Sequence, residues 1–340
     1  MAARAWMRTG SAALLAMGIG VATAHAGLES AGTRAASFLL QGTSPAVLGM
    51  GGAALGLARD VNGASLNPAS LAWVGETQAV VAHAQLADQS ALEWASVAGR
   101  LGATETRYGL AAHYRKDGDI TGRDANNQAT EDVLAQSLAL AVQLAQPLGS
   151  HVTVGGAAKY VGEHVGTAHG NGLAFDAGVQ MRFGVLGLGI AGQNFGGGMR
   201  WQGVQWRMPA SLGLGAALDH EASGLRLALD VNLPSTYERD LRLGTEWRLH
   251  DRLALRGGWR QLLGSAAAER LNGPSFGLGL KAGTFWFDYA FVVADAGAST
   301  HRVALQLRPG ISLHSRTPAR AVRSASKPRP AATADQHHQE

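Results

Sequence analysis

Twelve histidines and no cysteine stand in this chain of 340 residues, so the first question is whether any titratable group is spaced to do chemistry. A zinc site needs His, Cys or carboxylate ligands at recurring short spacings. His83 and His113 fall in strand-like runs, His151, His250 and His301 at turns or strand starts, His164 and His169 in a glycine-rich stretch, and His337-His338 near the end. None has a partner at a metal-site spacing, and His164-x4-His169 is the nearest approach. These histidines read as turn, surface or interior-facing residues. The Gly-x-Ser-x-Gly string Gly273-Pro274-Ser275-Phe276-Gly277 opens a strand-like segment and is not followed by a helix, so it is no nucleophile elbow and a serine triad would have to be assembled by the fold alone. The runs Gly49-x-Gly51-Gly52 and Gly196-Gly197-Gly198 lack the following Lys-Ser/Thr and the βαβ context of a phosphate loop. The sequence therefore predicts no catalytic residue, no cofactor and no metal.

The informative polar residues lie in alternating rows. Over Gly224–Leu233 the apolar row is Leu225, Leu227, Leu229 and Val231, opposite Arg226, Asp230 and Asn232. Over Asp240–Leu249, Leu241, Leu243, Thr245, Trp247 and Leu249 oppose Arg242, Glu246 and Arg248. Arg256, Arg260, Lys281 and Asp288 continue the pattern, and Phe285, Phe287, Tyr289, Phe291 and Val293 form one aromatic-rich row. A period of two means two-faced strands. Facing lipid, an Arg or Lys at the midplane would cost about 2–4 kcal/mol. The charged rows are therefore expected to point into a wet interior, where they line a water path or hold an internal segment by ion pairs.

Those rows require an extended all-β scaffold. From Thr77–Gln85 to Thr300–Arg308 the chain offers fourteen strand-like segments, an even number that suits a closed antiparallel barrel. Most run 9–11 residues, the length of a tilted membrane crossing and longer than an ordinary strand of about 5–6. Short links such as Gly184, His250–Asp251 and Gly283 alternate with longer ones, among them Lys116–Val133, Gly162–Gly172, Gly196–Met208, Pro234–Arg239, Leu262–Gly273 and Ala294–Ser299. In outer-membrane barrels the short turns are periplasmic, which puts the N-terminal segment and the C-terminal tail on that side. Only 16 % of residues are charged and 46 are glycine, against about a quarter charged in soluble proteins. Trp73, Tyr108, Tyr114, Tyr160, Trp201, Trp206, Tyr237, Trp247 and Trp259 lie near segment ends, where interfacial girdles would place them.

The ends of the chain are of other kinds. Arg4 and Arg8, the apolar run Ala12 to Ala24 and the small-residue Ala24-His25-Ala26 read as a secretory signal over residues 1–26. No later stretch has the roughly 18 unbroken apolar residues of a membrane helix. Residues 311–340, rich in Pro, Ala, Ser and Arg, read as a disordered basic tail. It ends on His-His-Gln-Glu, where many outer-membrane barrels carry a terminal aromatic. Of the formal charge of +4, the signal contributes +2 and the tail from Ser315 +3, which leaves the rest at −1. The basic pI thus belongs to the ends, and no nucleic-acid surface is implied.

Between signal and strands, Gly42–Val74 matches neither pattern. Its Met50-Gly51-Gly52-Ala53, Ala58-Arg59-Asp60 and Leu66-Asn67-Pro68-Ala69-Ser70-Leu71-Ala72, preceded by Phe38-Leu39, resemble the N-terminal region of the PorV/PorQ group within the FadL-type superfamily of outer-membrane fatty-acid transporters. The resemblance implies a fourteen-stranded transmembrane barrel over 77–310 with residues 27–76 folded into its lumen as a plug. It makes Gly49, Gly51, Gly52, Arg59, Asp60, Asn67, Pro68 and Ala69 structural or gating candidates. Pro68 biases Asn67 out of the α region, and a short helix is expected near Ala53 to Arg59. Arg59 and Asp60 are candidate partners for the charged rows.

The resemblance implies one of two non-enzymatic roles. The first is passive transport of a hydrophobic, fatty-acid-like small molecule past the plug. The alternative is a PorV-like component that holds a secretion-system or surface-assembly protein. Outer-membrane lipid is the expected surrounding in both, and the sequence leaves the oligomeric state open. The longest predicted loop, Lys116–Val133, is dominated by Asp, Asn, Arg and Gly, unlike the apolar capture loops of fatty-acid transporters.

Overall fold

The computed structural model describes residues 35–308, apart from 87–88, 119, 236–238, 264–272 and 294–298. The predicted signal peptide, the first residues of the predicted plug, the predicted C-terminal tail and the centres of three predicted long loops lie outside the described residues.

Fourteen long antiparallel strands close into a barrel, because alternation at a period of two lets one face meet an apolar surround while the other stays polar. In chain order they are β1 (Gln78–Gln85), β2 (Ala91–Arg100), β3 (Arg107–Lys116), β6 (Ala135–Leu148), β7 (Val152–Val165), β8 (Ala168–Phe183), β9 (Leu186–Trp201), β11 (Ser211–His220), β12 (Leu225–Pro234), β13 (Arg239–His250), β14 (Leu253–Leu263), β15 (Gly273–Ala282), β16 (Phe285–Val293) and β17 (Ser299–Leu307). Each pairs with its neighbour, and β1 closes on β17 with Val81 opposite Leu305. Three further strands stand outside the ring: β4 (Ile120–Arg123) pairs with β5 (Ala129–Val133), and β10 (Val204–Trp206) folds back on the end of β9.

The usual distribution of polarity is reversed. On β13, Leu243 is 47 % exposed and Trp247 51 %, whereas the inward Asp240 is 0 % and Glu246 5 %. β12 and β16 repeat this, with Leu227, Leu229, Phe285 and Phe287 outside and Asp230 and Asp288 buried. An apolar belt that large is what a bilayer-facing surface requires. Among the described residues no helix is long and apolar enough to cross a membrane.

The structure corrects three expectations. Gly162–Gly172 is not a long loop, because β7 and β8 continue to Val165 and Ala168 and are joined by a tight turn with Gly166 at φ 58°. Part of Lys116–Val133 is likewise the β4–β5 hairpin, and β9 runs on through Gly196–Trp201. Beyond the apolar belt both faces are wet, so the hydrophobic alternation fades while the backbone ladder continues. The strict interleaving of short and long connections fails there for the same reason.

The helix also lies elsewhere. It is a single turn, α1 (Pro45–Leu48), begun by Ser44 as cap and Pro45 in the first turn and followed by Gly51 and Gly52 at positive φ. Short 3-10 turns cover Ser37–Leu40, Gly63–Ser65 and Pro68–Trp73.

Finally, the N-terminal segment is not confined to the short-turn end. The Ala36 amide donates to Glu163 near the long-loop end of β7, and Phe38 packs there with Val161 and Met199. Val74 lies at the opposite end, its carbonyl accepting from Arg107 at the start of β3. The segment therefore threads the lumen from one end to the other.

Candidate functional site

An irregular segment inside a barrel has backbone N–H and C=O groups that neither helix nor sheet satisfies, and each must find a partner. Inward side chains of the wall supply them. Asp230 accepts from the amides of Ala54 (2.7 Å) and Leu55 (2.9 Å). The Gln180 amide donates to the carbonyls of Leu55 (3.1 Å) and Ala58 (2.9 Å), while its oxygen accepts from the Trp73 indole (2.6 Å). Ser275 accepts from the Gly51 amide, Arg302 donates to the Gly42 carbonyl, and Gln193 to that of Ser65. Of these wall residues only Asp230 belongs to the predicted charged rows. Gln180, Gln193, Ser275 and the charged Arg302 also lie on the inward face of their strands, which is the signal that marks them.

The predicted motif residues fall along this seam. Asn67 is extended (φ −145°, ψ 107°), as Pro68 requires. Its side-chain oxygen caps the Pro68–Trp73 turn by accepting from Ala69, and its amide donates to the Val179 carbonyl on β8 at 3.1 Å. Pro68 and Ala69 press on Gly155 of β7, where an added Cβ would lie 2.5 Å from the Ala69 nitrogen. Gly49 faces Gly277, and Gly51 lies directly on Gly258 of β14. Gly52 passes close to Arg242, whose guanidinium reaches the Gly52 carbonyl at 3.5 Å. Wall glycines were not among the predicted site residues, yet at Gly155 and Gly258 two backbones approach so closely that no side chain fits between them.

The charged rows form two networks. At the short-turn end, Glu246 accepts from Arg226 (3.1 Å), Arg248 (2.9 Å) and Arg256 (2.7 Å), and Arg256 also holds Asp288 (2.6 Å). Asp219 joins Arg226 to Arg59 of the segment, and Asp60 pairs with Arg308. Arg59 and Asp60 thus contact wall groups absent from the predicted rows. Nearer the long-loop end, Asp240 accepts from both Arg242 and Arg260. Lys281 shares the inward face with its cross-strand partner Trp286, half-buried and outside both networks.

Between the segment and the wall remains a cavity of about 130 Å³. The segment lines it with Leu39, Leu40, Val47 and Leu48 and with the polar Gln41, Thr43 and Ser44, and the wall with Trp94 and His113. His113 is buried against Phe38, with ring centroids 5.2 Å apart. His83 and His301 face outward instead, paired with Glu93 and Tyr289. Among the described residues no three His, Asp or Glu side chains are grouped to hold a metal ion.

The fold superposes on solved structures of low sequence identity. The toluene transporter TbuX of Ralstonia pickettii superposes with a TM-score of 0.57 at 15% identity, covering 80% of this chain and 99% of that one. The P. putida toluene transporter TodX gives 0.53 at 13%, covering 76% and 95%. A Pseudomonas aeruginosa FadL homologue gives 0.51 at 13%, covering 78% and 97%. No protein-family model and no curated protein sequence matches the chain. At these identities the likeness establishes the fold.

Proposed function

We propose that this protein is a non-enzymatic channel of the bacterial outer membrane, through which a hydrophobic small molecule passes passively beside or beneath the segment 35–74 acting as a plug. The apolar outer belt and the barrel fold shared with solved hydrocarbon transporters support the location. The observation that carries the reading is the cavity between the segment and the wall, lined on one side by the segment's own Leu39, Leu40, Val47 and Leu48, so that passage through the lumen requires the segment to shift. Asp230, Gln180, Asn67, Arg59 and Asp60 then act as the catches that hold it closed. Nothing in the geometry favours the alternative role as a secretion scaffold.

Proteoliposomes containing the purified barrel test this. Uptake of labelled toluene or of a medium-chain fatty acid should exceed that of empty vesicles and should saturate. Rates equal to those of protein-free vesicles for both compounds would sink the proposal.

A further inference from the structure

At the short-turn end of the lumen the inward rows become cationic. The inward residues there on β8, β13 and β15 are Arg182, Arg248 and Lys281, and Arg308 follows directly on β17. The carboxylates beside them are already shared. Asp219 pairs with Arg59, Arg182 and Arg226, and Glu246 with Arg226, Arg248 and Arg256. Asp288 takes the other arm of Arg256, Asp60 takes Arg308, and Glu221 reaches Arg59 at 3.5 Å. Lys281, opposite Trp286, has no ion-pair partner among the described residues. Seven cations thus meet five carboxylates, which leaves a surplus of two positive charges. The other charged residues at that end cancel, since Arg100, Arg107 and Arg252 stand against Glu76, Glu105 and Asp251.

The surplus is crowded and within reach of water. Arg182, Arg226 and Arg248 all repel the Arg59 guanidinium, and Arg226 and Arg308 repel that of Arg248. The side chains of Arg59, Arg226 and Arg248 keep 24, 16 and 22 % of their surface exposed. An anion entering this mouth is therefore attracted by several guanidiniums at once and need displace no carboxylate. Guanidinium forks match the oxygens of carboxylate and phosphate. A surplus of two is matched by one dianion, and a phosphate monoester carries about −1.5 to −2 charge at pH 7. Because these side chains point into the lumen, the anion they meet is a solute of the water there, not a headgroup of the surrounding bilayer.

We propose that the short-turn mouth of the barrel is a binding site for a small phosphate-type dianion. It is centred on Arg248 among Arg59, Arg226 and Arg308, and Lys281 adds a charge that no carboxylate offsets. The site does not depend on the channel reading, since it requires only that the mouth be wet.

Calorimetry on the detergent-purified full-length protein, titrated with inorganic phosphate or with acetate at one low ionic strength, tests the assignment. Phosphate should bind more tightly than acetate, and its binding should weaken as neutral salt is added. Lys281→Gln with Arg248→Gln should weaken phosphate binding about tenfold or more, whereas Arg123→Gln, on the exposed β4–β5 hairpin at the other end, should leave it unchanged. A heat-dependent gel shift checks that each barrel is folded. Lys281→Gln alone breaks no ion pair, so it keeps the test in force where the double variant does not fold, and it should by itself weaken binding severalfold. Acetate binding as tightly as phosphate, no binding of phosphate, an affinity that these substitutions leave unchanged, or an equal loss in Arg123→Gln would each overturn the assignment.

Discussion

Gly258→Ala is the substitution that most directly asks whether the segment 35–74 is wedged against the wall. A methyl built on Gly258 meets the Gly51 amide nitrogen and the carbonyl carbon of Met50. Both are backbone atoms, so no flexible side chain can yield. Overpacking of this kind costs about 1–3 kcal/mol. If that strain is relieved by displacing the segment, the displaced population rises by about 5–150-fold. The neighbouring Gly257 supplies the control, since its added methyl would lie 3.6 Å from Thr245 Cγ2, an ordinary contact on the outer face. Two assays read the effect: ion conductance of single barrels in a planar bilayer, and trypsin cleavage after Arg59, which displacement exposes. Gly258→Ala should raise both while Gly257→Ala matches the wild type. The reasoning is refuted if the two variants behave alike.

Asp230→Ala removes the acceptor of two buried amides and should loosen the same segment by about 1–3 kcal/mol for each amide left unpaired, seen as faster trypsin cleavage with little change in barrel melting. Arg256→Met strands Asp288 and strips one cation from Glu246. Breaking a buried pair from one side costs about 3–5 kcal/mol, so the gel-shift melting temperature should fall, and the double variant Arg256→Met with Asp288→Leu should recover part of the loss. Leu243→Arg puts a charge on the apolar belt and should cost about 2–4 kcal/mol in lipid, measured by denaturant unfolding in vesicles, whereas Leu243→Phe should be nearly neutral.

How far the sequence could be read depended on which interactions are local. Strand identity is local: the alternation of Leu225, Leu227 and Leu229 with Arg226 and Asp230 marks two faces before any partner is known, and all fourteen strands appear where that alternation runs. The extended conformation of Asn67 follows from the proline beside it. By contrast, the outer ends of β7, β8 and β9 were misread as loops, because outside the apolar belt a strand needs only its ladder and leaves no hydrophobic trace. The turn at Pro45–Leu48 was missed because its cap and proline outweighed the alanine-rich stretch from Ala53.

By itself the sequence determined a closed, two-faced barrel and singled out a glycine-rich segment that fits neither face. Only the tertiary structure decided what that segment touches. Asp230 reaches amides 175 and 176 residues away, and Gly258 receives Gly51 from the opposite end of the chain. Such contacts depend on the register of every intervening strand, and no short window of residues records them. The physical reason is that a lumen exists only after closure: until the fourteenth strand meets the first, the inward rows have no shared interior in which to satisfy the segment's backbone.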